Sequence, residues 1–577
     1  MSSPNAEYDF IIVGAGPAGC AVAQGISSSL SNPSVCLVEA GGTNEDVNQR
    51  IAGNMFVQML NPAHTSPYES TPQKHMYDRK ISLVRGTGLG GSSAVNFMAW
   101  TIGPRDDWAH VSELTGDPDW NWTNAKRRFR ALETYHDAPS ELPKGAKKYL
   151  NPNKEDHGYQ GPLHIGFEDE WDEYTTSVLD IWAANGYEIN PDSGSGDPIG
   201  FSVCPKTTYN GTRVTADDLL YSTSKNLEIR TGSPVHKVLF KNKRAIGIIL
   251  VDGTILHAKK EVILSAGALD TPKILMHSGI GPSEQLARYG IETLVNSKQV
   301  GQNYKDHYHV QFKYGRAERT NRVAAFFRDP DRQVASLREW KTYRTGEYAN
   351  YGTSMNVGFF KCEAVLRSKE FRALPAEEQS RLKKPTVPTY EISTAGIAPE
   401  YYTDAHSVPP LLTFTLFVHN SQGKGSVELA SADPTVPLDF KPAFMVHPYD
   451  QRVIIEATRE FLKVTKSAAF KEDEHPTTPE YHAPASDSEE DILDFWRKNC
   501  GSTWHMSGTC RMGRRGDDGA VVNSQLLVNG VTGLRVADLG VMPIIASAHT
   551  QSTAYQVGLT AAEKIIAQHS LNARPAL

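Results

Sequence analysis

Tyr8-Asp9-Phe10-Ile11-Ile12-Val13-Gly14-Ala15-Gly16-Pro17-Ala18-Gly19 is the stretch on which the rest of the chain hangs. Phe10 to Val13 reads as a buried strand that runs straight into a glycine-rich turn, with a helix from Ala18. Gly14 permits the tight turn, Gly16 lets the backbone approach a pyrophosphate, and Gly19 lets the helix pack closely on the strand. An anion at this point would meet the free N–H groups at the positive end of the helix. A second strand, Ser34 to Val38, ends in Glu39, about 20 residues on, where the ribose hydroxyls of a dinucleotide need an acceptor. Strand, turn, small-residue helix and acid together predict a dinucleotide-binding unit.

The chain has 577 residues, too many for a single core, so two or more domains are expected. Its 39% hydrophobic and 22% charged residues are those of an ordinary globular protein. A net charge of −7 leaves no electrostatic footprint for nucleic acid or an acidic membrane surface. Six cysteines, Cys20, Cys36, Cys204, Cys362, Cys500 and Cys510, form neither a CxxC nor a metal-ligand spacing, so buried free thiols are expected and no metal. No basic segment precedes the first apolar run, no apolar stretch is long enough to span a bilayer, and the last residues are not a peroxisomal address. The sequons at Asn121 and Asn210 are read as idle. An intracellular, cytoplasmic protein is expected.

Arg85-Gly86-Thr87-Gly88-Leu89-Gly90-Gly91-Ser92-Ser93-Ala94-Val95-Asn96 cannot be a stable helix or strand interior. Its uncovered backbone N–H groups suit close passage along a phosphate or ring edge, and the apolar continuation Val95 to Trp100 anchors it in a core. Helices are predicted over Ala125 to Tyr135 and Glu173 to Asn185, and a strand at Pro162 to Ile165. Short strands follow at Leu227 to Arg230, Val235 to Leu239, Ala245 to Val251 and Thr254 to Ala258, with a hairpin at Asp252-Gly253. Val262 to Leu264 reads as another buried strand. A helix from Thr271 to His277 should end at Gly279 in a left-handed cap. Residues 310 to 410 carry no motif and suggest a second domain, partly antiparallel sheet, with Leu411 to His419 and Ser426 to Ala430 as strands. A helix follows over His447 to Lys466, then a surface connection over Glu472 to Ser488. Ser486 and Glu489 have capping-box spacing for a helix to Asn499. Gly533 to Val536 is a last strand and Ser552 to Gln568 a last helix, apolar at Ala554, Val557, Ala561 and Ile565.

Taken together, VGAGPAG at 13–19, GTGLGGSSAVN at 86–96, GALDTPKILMHSGIG at 267–281, VGQNYKDH at 300–307, WHMSGTCRMG at 504–513 and the run from GLRVADLGVMP to HTQ at 533–551 resemble the glucose–methanol–choline (GMC) oxidoreductases. These flavoenzymes mostly oxidise alcohols, and the resemblance covers nearly the whole chain. It implies an α/β fold (α+β overall), with a Rossmann-like FAD-binding domain and a discontinuous substrate domain built on an antiparallel sheet with helices. The implied boundaries are 1–160, 210–310 and 500–577 for the FAD-binding domain, and 161–209 with 311–499 for the substrate domain. It also implies FAD rather than a nicotinamide. Gly14, Gly16, Gly19 and Glu39 match the ADP-binding unit. Arg85, Gly90, Gly91, Ser92 and Asn96 match the loop along the pyrophosphate and flavin, and Val235 the backbone contact to adenine. Asp538 and the backbone of Thr550 and Gln551 match the flavin-side contacts. Where some relatives attach FAD through a histidine this chain has Val95, which implies non-covalent FAD.

His505 matches the family's catalytic histidine and His549 its second polar residue. Alcohol oxidation removes a hydroxyl proton, which a neutral imidazole can take, and a hydride, which goes to flavin N5. A second polar group must hold the substrate oxygen. The helix after His549 would favour negative charge on the reduced flavin. The related formate oxidases have arginine where His549 stands; a cationic fork suits a carboxylate substrate, and its absence here argues against formate and for a neutral alcohol or hydrated aldehyde. The photodecarboxylases of this fold lack the catalytic histidine. The expectation is therefore an FAD-dependent alcohol oxidase giving an aldehyde or ketone and H2O2 from O2. A dehydrogenase with another acceptor, or a lyase or biosynthetic enzyme on the same scaffold, stays open. The partners implied are a small alcohol and an electron acceptor, with no nucleic acid and no membrane span.

Overall fold

The computed structural model describes residues 6–572, apart from 138–141, 143–144, 169, 222–224, 318–321 and 351–354. In chain order its main elements begin with β1 (Glu7–Val13), α1 (Pro17–Ser27), β2 (Val35–Val38), β3 (Leu227–Arg230), β4 (Val235–Lys241), β5 (Arg244–Leu250), β6 (Ile255–Leu264) and α2 (Gly267–His277). They continue with β7 (Tyr308–Gly315), β8 (Met355–Phe360), β9 (Tyr390–Ala395), β10 (Leu411–Val418), α3 (Pro448–Thr465), β11 (Glu480–His482) and α4 (Glu489–Asn499). The chain closes with β12 (Gly501–Ser502), β13 (Leu534–Val536) and α5 (Gln551–Gln568).

Two sheets organise the molecule. The first runs β3-β2-β1-β6-β5-β4, with β13 also on β6. Its β3, β2, β1, β6 and β13 are parallel, while β4 and β5 add an antiparallel meander. Phe10 to Val13 have layers of structure on both faces and are buried at every position, as a parallel strand's continuous apolar run requires. Because β13 pairs with β6, and β6 with β1, the two ends of the chain share one sheet. They also share a helix contact. A Cβ on Gly558 of α5 would lie 2.4 Å from the Ala18 carbonyl oxygen of α1, and one on Gly25 of α1 would lie 2.7 Å from the Ala562 methyl. The second sheet, β8-β9-β10-β7-β11 with β12 on β7, is antiparallel throughout. Among the described residues no helix is long and apolar enough to cross a membrane, and the six cysteines are buried free thiols.

Several local expectations change. Thr254 to Ala258 and Val262 to Leu264 are one ten-residue strand, β6, because the intervening Glu261 is not a break. It is buried with its carboxylate on the Arg535 guanidinium at 2.6 Å. The helix expected over 125–135 spans Trp122–Leu132, capped by Asn121, and Glu133–Tyr135 instead pairs with Leu163–Ile165. α2 starts at Gly267 and contains Pro272, whose ring leaves the Ala268 carbonyl without its helical donor. The Thr509 hydroxyl donates to that carbonyl at 2.6 Å instead. The cap of α4 is Ser488, whose hydroxyl accepts the Asp491 N–H, and not Ser486, whose hydroxyl bonds the Asp491 carboxylate. The connection over 472–488 includes the edge strand β11.

Candidate active site

A cavity of about 540 Å³ runs from the end of β1 and β2 to the start of α5. At its first end the backbone of Gly14, Gly16, Pro17 and Ala18 forms the wall. Gly14 has φ +100°, and a Cβ there would lie 2.4 Å from the Ser265 carbonyl oxygen, so only glycine fits. Gly16, the residue before α1, differs: a Cβ there would meet nothing within 4 Å. No side chain caps α1, so its first N–H groups are open to a ligand. Empty space over Gly16 and an uncapped helix start are what a pyrophosphate needs, and the site fits FAD on that ground.

Gly19 does not line the cavity. Its Cβ would lie 1.9 Å from the Gly14 carbonyl oxygen, so its role is the close approach of helix to strand. Gly90 is likewise a packing position, with φ +87° and Asp217 2.7 Å from where its Cβ would be. Gly91 lines the cavity and packs on Gly16. Glu39 lines it too, but its carboxylate is heavily engaged. Oε2 accepts from the Ala15 N–H at 2.8 Å, and Oε1 from the Gly41 and Gly88 N–H groups at 2.9 and 3.0 Å. It thereby ties both glycine-rich loops together and keeps a spare lone pair at the cavity. Val235 stands at the same end.

Arg85 links the second loop to the histidine segment. Its guanidinium donates to the Ser92 hydroxyl at 2.7 Å and to the Trp504 carbonyl, and it touches the Met506 sulfur. Trp504 has φ +60°, a strained backbone for a bulky residue, just before His505. Asn96 donates its amide to the Gln551 side chain at 2.7 Å. Asp538 accepts from the Gly267 N–H, the Thr271 hydroxyl and the Gly540 N–H, and burial raises its carboxyl to about 6. Thr550 is the N-cap of α5 without a side-chain cap, which leaves the helix start facing the cavity beside Gln551.

His505 and His549 both line this end, with ring centroids 5.4 Å apart. Burial, followed by repulsion from His549, holds His505 well below the ordinary imidazole range, so it is neutral near pH 7. Asp306 accepts the His505 backbone N–H at 2.8 Å. His549 is held from the other sheet: its Nε2 lies 2.7 Å from Glu391 Oε1, and His419 Nε2 lies 2.9 Å from Oε2 of the same carboxylate. Burial pushes the Glu391 carboxyl up, but the attraction of His549 and the His419 hydrogen bond overcome it and bring it to about 2. Glu391 is therefore an anion, and both imidazoles donate to it. His307 stands behind His505, Nδ1 to Nδ1 at 3.1 Å.

Glu391, His419 and His307 were missed by sequence reasoning. Glu391 carried one signal, a lone acid inside the otherwise uncharged run Thr389 to Ala395, and His307 closes the VGQNYKDH stretch. The lining also includes the apolar side chains of Val95, Phe97, Met98 and Trp504. The acids that line the cavity, Glu39, Asp270 and Asp538, are spoken for by backbone, Tyr68 or Thr271 contacts away from the histidines.

Family models described as GMC oxidoreductase match residues 8–309 and 421–558. The chain is 28% identical over 574 residues to an oxygen-dependent choline dehydrogenase of Brucella anthropi, covering 98% of this chain and 96% of that one. Among solved structures, a formate oxidase of Aspergillus oryzae, in a study of FAD modification, superposes with a TM-score of 0.89 at 27% identity, covering 99% and 100% of the two chains. A fungal aryl-alcohol oxidase shares the fold, with a TM-score of 0.82 at 22% identity over 98% and 99%.

Proposed function

The chain belongs to the GMC oxidoreductase family, FAD-dependent enzymes, and from that premise we propose that it oxidises a neutral alcohol to an aldehyde or ketone, with His505 as general base and O2 as electron acceptor. The observation that carries this reading is the pair of imidazoles on one cavity wall, one buried and neutral, the other fixed by an anion.

The substrate hydroxyl sits between the two rings. His505 takes its proton on Nε2, since Nδ1 is engaged with His307. His549 commits Nε2 to Glu391, which leaves Nδ1 to position the substrate, donating to its oxygen when that nitrogen carries a hydrogen. The Glu391 charge favours the imidazolium that forms on His505. FAD, when bound, supplies the hydride acceptor. Gly14, Gly16, Gly91, Glu39 and Val235 hold its ADP half, with Gly19 and Gly90 shaping that cradle. Arg85, Ser92, Asn96, Asp538, Thr550 and Gln551 hold the rest, and the start of α5 favours charge there. The Val95 position offers no nucleophile, which supports non-covalent FAD. Phe97, Met98 and Trp504 suit an apolar substrate body and disfavour a carboxylate. The same reading divides the chain into an FAD-binding unit of 1–160, 210–310 and 500–577, and a substrate unit of 161–209 and 311–499 that contributes Glu391 and His419. The similarity to an oxygen-dependent choline dehydrogenase and a formate oxidase supports O2.

The test is anaerobic mixing with a panel of primary, secondary and aromatic alcohols while the flavin absorbance is followed, then admission of air. Bleaching by at least one alcohol and rapid return of colour with H2O2 are expected. No bleaching across the panel rejects alcohol oxidation, and slow return in air rejects O2 in favour of another acceptor. Acid precipitation should leave the flavin in the supernatant.

A further inference from the structure

His549 is held from two sides of the molecule. Its backbone N–H donates to the Thr101 hydroxyl at 2.7 Å, and its ring meets Glu391 of the antiparallel sheet at 2.7 Å. Thr101 and His549 belong to the proposed FAD-binding unit, and Glu391 to the substrate unit. The ring contact therefore depends on a fixed separation between the turn before α5 and the strand β9 that carries Glu391.

A buried ring of hydrogen bonds spans that separation. Arg381 lies on the short helix Ala376–Leu382 of the substrate unit. Glu378 grips its guanidinium twice, accepting from Nε at 3.0 Å and from Nη2 at 2.7 Å. Both hydrogens of Nη1 point elsewhere: the nitrogen donates to Asp107 Oδ1 at 3.2 Å and to Asn420 Oδ1 at 2.8 Å. Each of these two residues holds Ser547. Asp107 Oδ2 accepts the Ser547 N–H at 2.9 Å, and the Asn420 amide donates to the Ser547 hydroxyl at 3.1 Å. Arg381, Asp107, Ser547 and Asn420 thus close a circuit, and all four are buried.

The circuit touches each segment that meets at Glu391. Ser547 stands two residues before His549. Asn420 directly follows His419, the other partner of Glu391, and its amide also donates at 2.8 Å to the carbonyl of Pro388, three residues before Glu391. None of the four lines the cavity, so they act on the site only through these segments. A buried donor or acceptor has no water to replace a lost partner, so displacing Ser547 costs a bond on either arm.

We propose that Arg381 is a positioning residue for His549: through Asp107 and Asn420 it holds the Ser547 turn at the separation where Glu391 grips the imidazole. This rests on the reading of His549 as the group that positions the substrate. The planar fork of arginine serves Glu378 and both arms at once, which a single ammonium cannot do.

Arg381→Lys tests this while keeping the charge, with turnover expressed per bound flavin. For the best alcohol, kcat should fall roughly 10- to 10²-fold, with a smaller change in KM. In a His549→Ala background the same substitution should alter kcat/KM by less than about twofold, because the residue it acts through is gone. A purely structural role lowers the melting temperature and leaves kcat per flavin unchanged, and that result overturns the proposal, as do equal losses in both backgrounds. The crystal structure of the FAD-loaded variant needs no substrate. It should show His549 Nε2 out of hydrogen-bond reach of Glu391, and an imidazole still seated on Glu391 overturns the proposal. If Arg381→Lys does not accumulate, Asn420→Gly takes its place under the same criteria, since glycine accepts the φ of +56° at that position while removing the amide. If the wild type oxidises no alcohol, the alcohol reading falls and the crystal structure alone decides the role of Arg381.

Discussion

An imidazole in water is half protonated near pH 6.5, but burial and His549 hold His505 well below that value. The sign follows directly. The base form is the neutral one, and a depressed value keeps it populated into mild acid. Under the proposed mechanism kcat/KM should stay flat from pH 8 down past 6.5, with its acid limb below. A limb centred at or above 6.5 would contradict the burial argument, because it describes a water-exposed imidazole. Replacing the ring by His505→Ala should cost roughly 10²- to 10⁴-fold in kcat/KM. Bound flavin should stay at wild-type level, since His505 is at the end of the cavity away from the Gly16 cradle. Activity near wild type in that variant would remove His505 from the reaction.

At the scale of elements, the glycines of the β1–α1 turn separate fold from ligand. Gly16 and Gly19 belong to one motif but meet different surroundings: open space over Gly16, and the Gly14 carbonyl 1.9 Å from a Cβ on Gly19. Gly16→Ala should therefore fold with little change in the apoprotein's melting temperature and lose FAD affinity, measured by flavin content after gel filtration. Gly19→Ala should be destabilised by more than about 4 kcal/mol or fail to accumulate. Equal melting temperatures for the two variants would refute the distinction. This turn was legible because its requirements are steric and local: strand, glycines and helix are contiguous, and Glu39 follows at fixed spacing. The same holds for α5, whose apolar stripe Ala554, Val557, Ala561 and Ile565 is buried. Glu391 was not legible, because its partner His549 is 158 positions away and no local pattern links them. Only the packing of the antiparallel sheet against the start of α5 brings them together. The split reading of β6 failed for a related reason, as the partner that allows Glu261 inside a strand, Arg535, lies in the last part of the chain.

For the whole molecule, closure of the first sheet by β13 and the packing of α5 on α1 mean that neither end can unfold alone without opening the core. Stability should then respond as one cooperative transition to groups far from the cavity, and His157 is such a group. It is buried, stacked on Tyr135 with centroids 3.8 Å apart, and lies between Asp192 at 3.1 Å and Glu133 at 3.5 Å. Glu133 also accepts the Gly158 N–H at 2.9 Å and the Trp100 indole N–H at 3.3 Å, which ties this cluster to the segment that follows the second glycine-rich loop. Burial pulls the His157 imidazole down, but the Asp192 and Glu133 hydrogen bonds and charges outweigh it and raise it from 6.5 to about 9. A raised value means the folded state holds a proton that the unfolded chain gives up earlier. The contribution is thus complete below pH 6.5 and lost as pH rises through 9, a difference of about 3 kcal/mol. Urea midpoints measured between pH 6 and 9.5 should fall across this window with an unchanged m-value. His157→Gln should be less stable at pH 6 and nearly flat over the same range, since a neutral amide can bond both carboxylates but carries no titrating charge. A His157→Gln protein whose midpoint falls as steeply as the wild type's would show that the alkaline loss arises elsewhere.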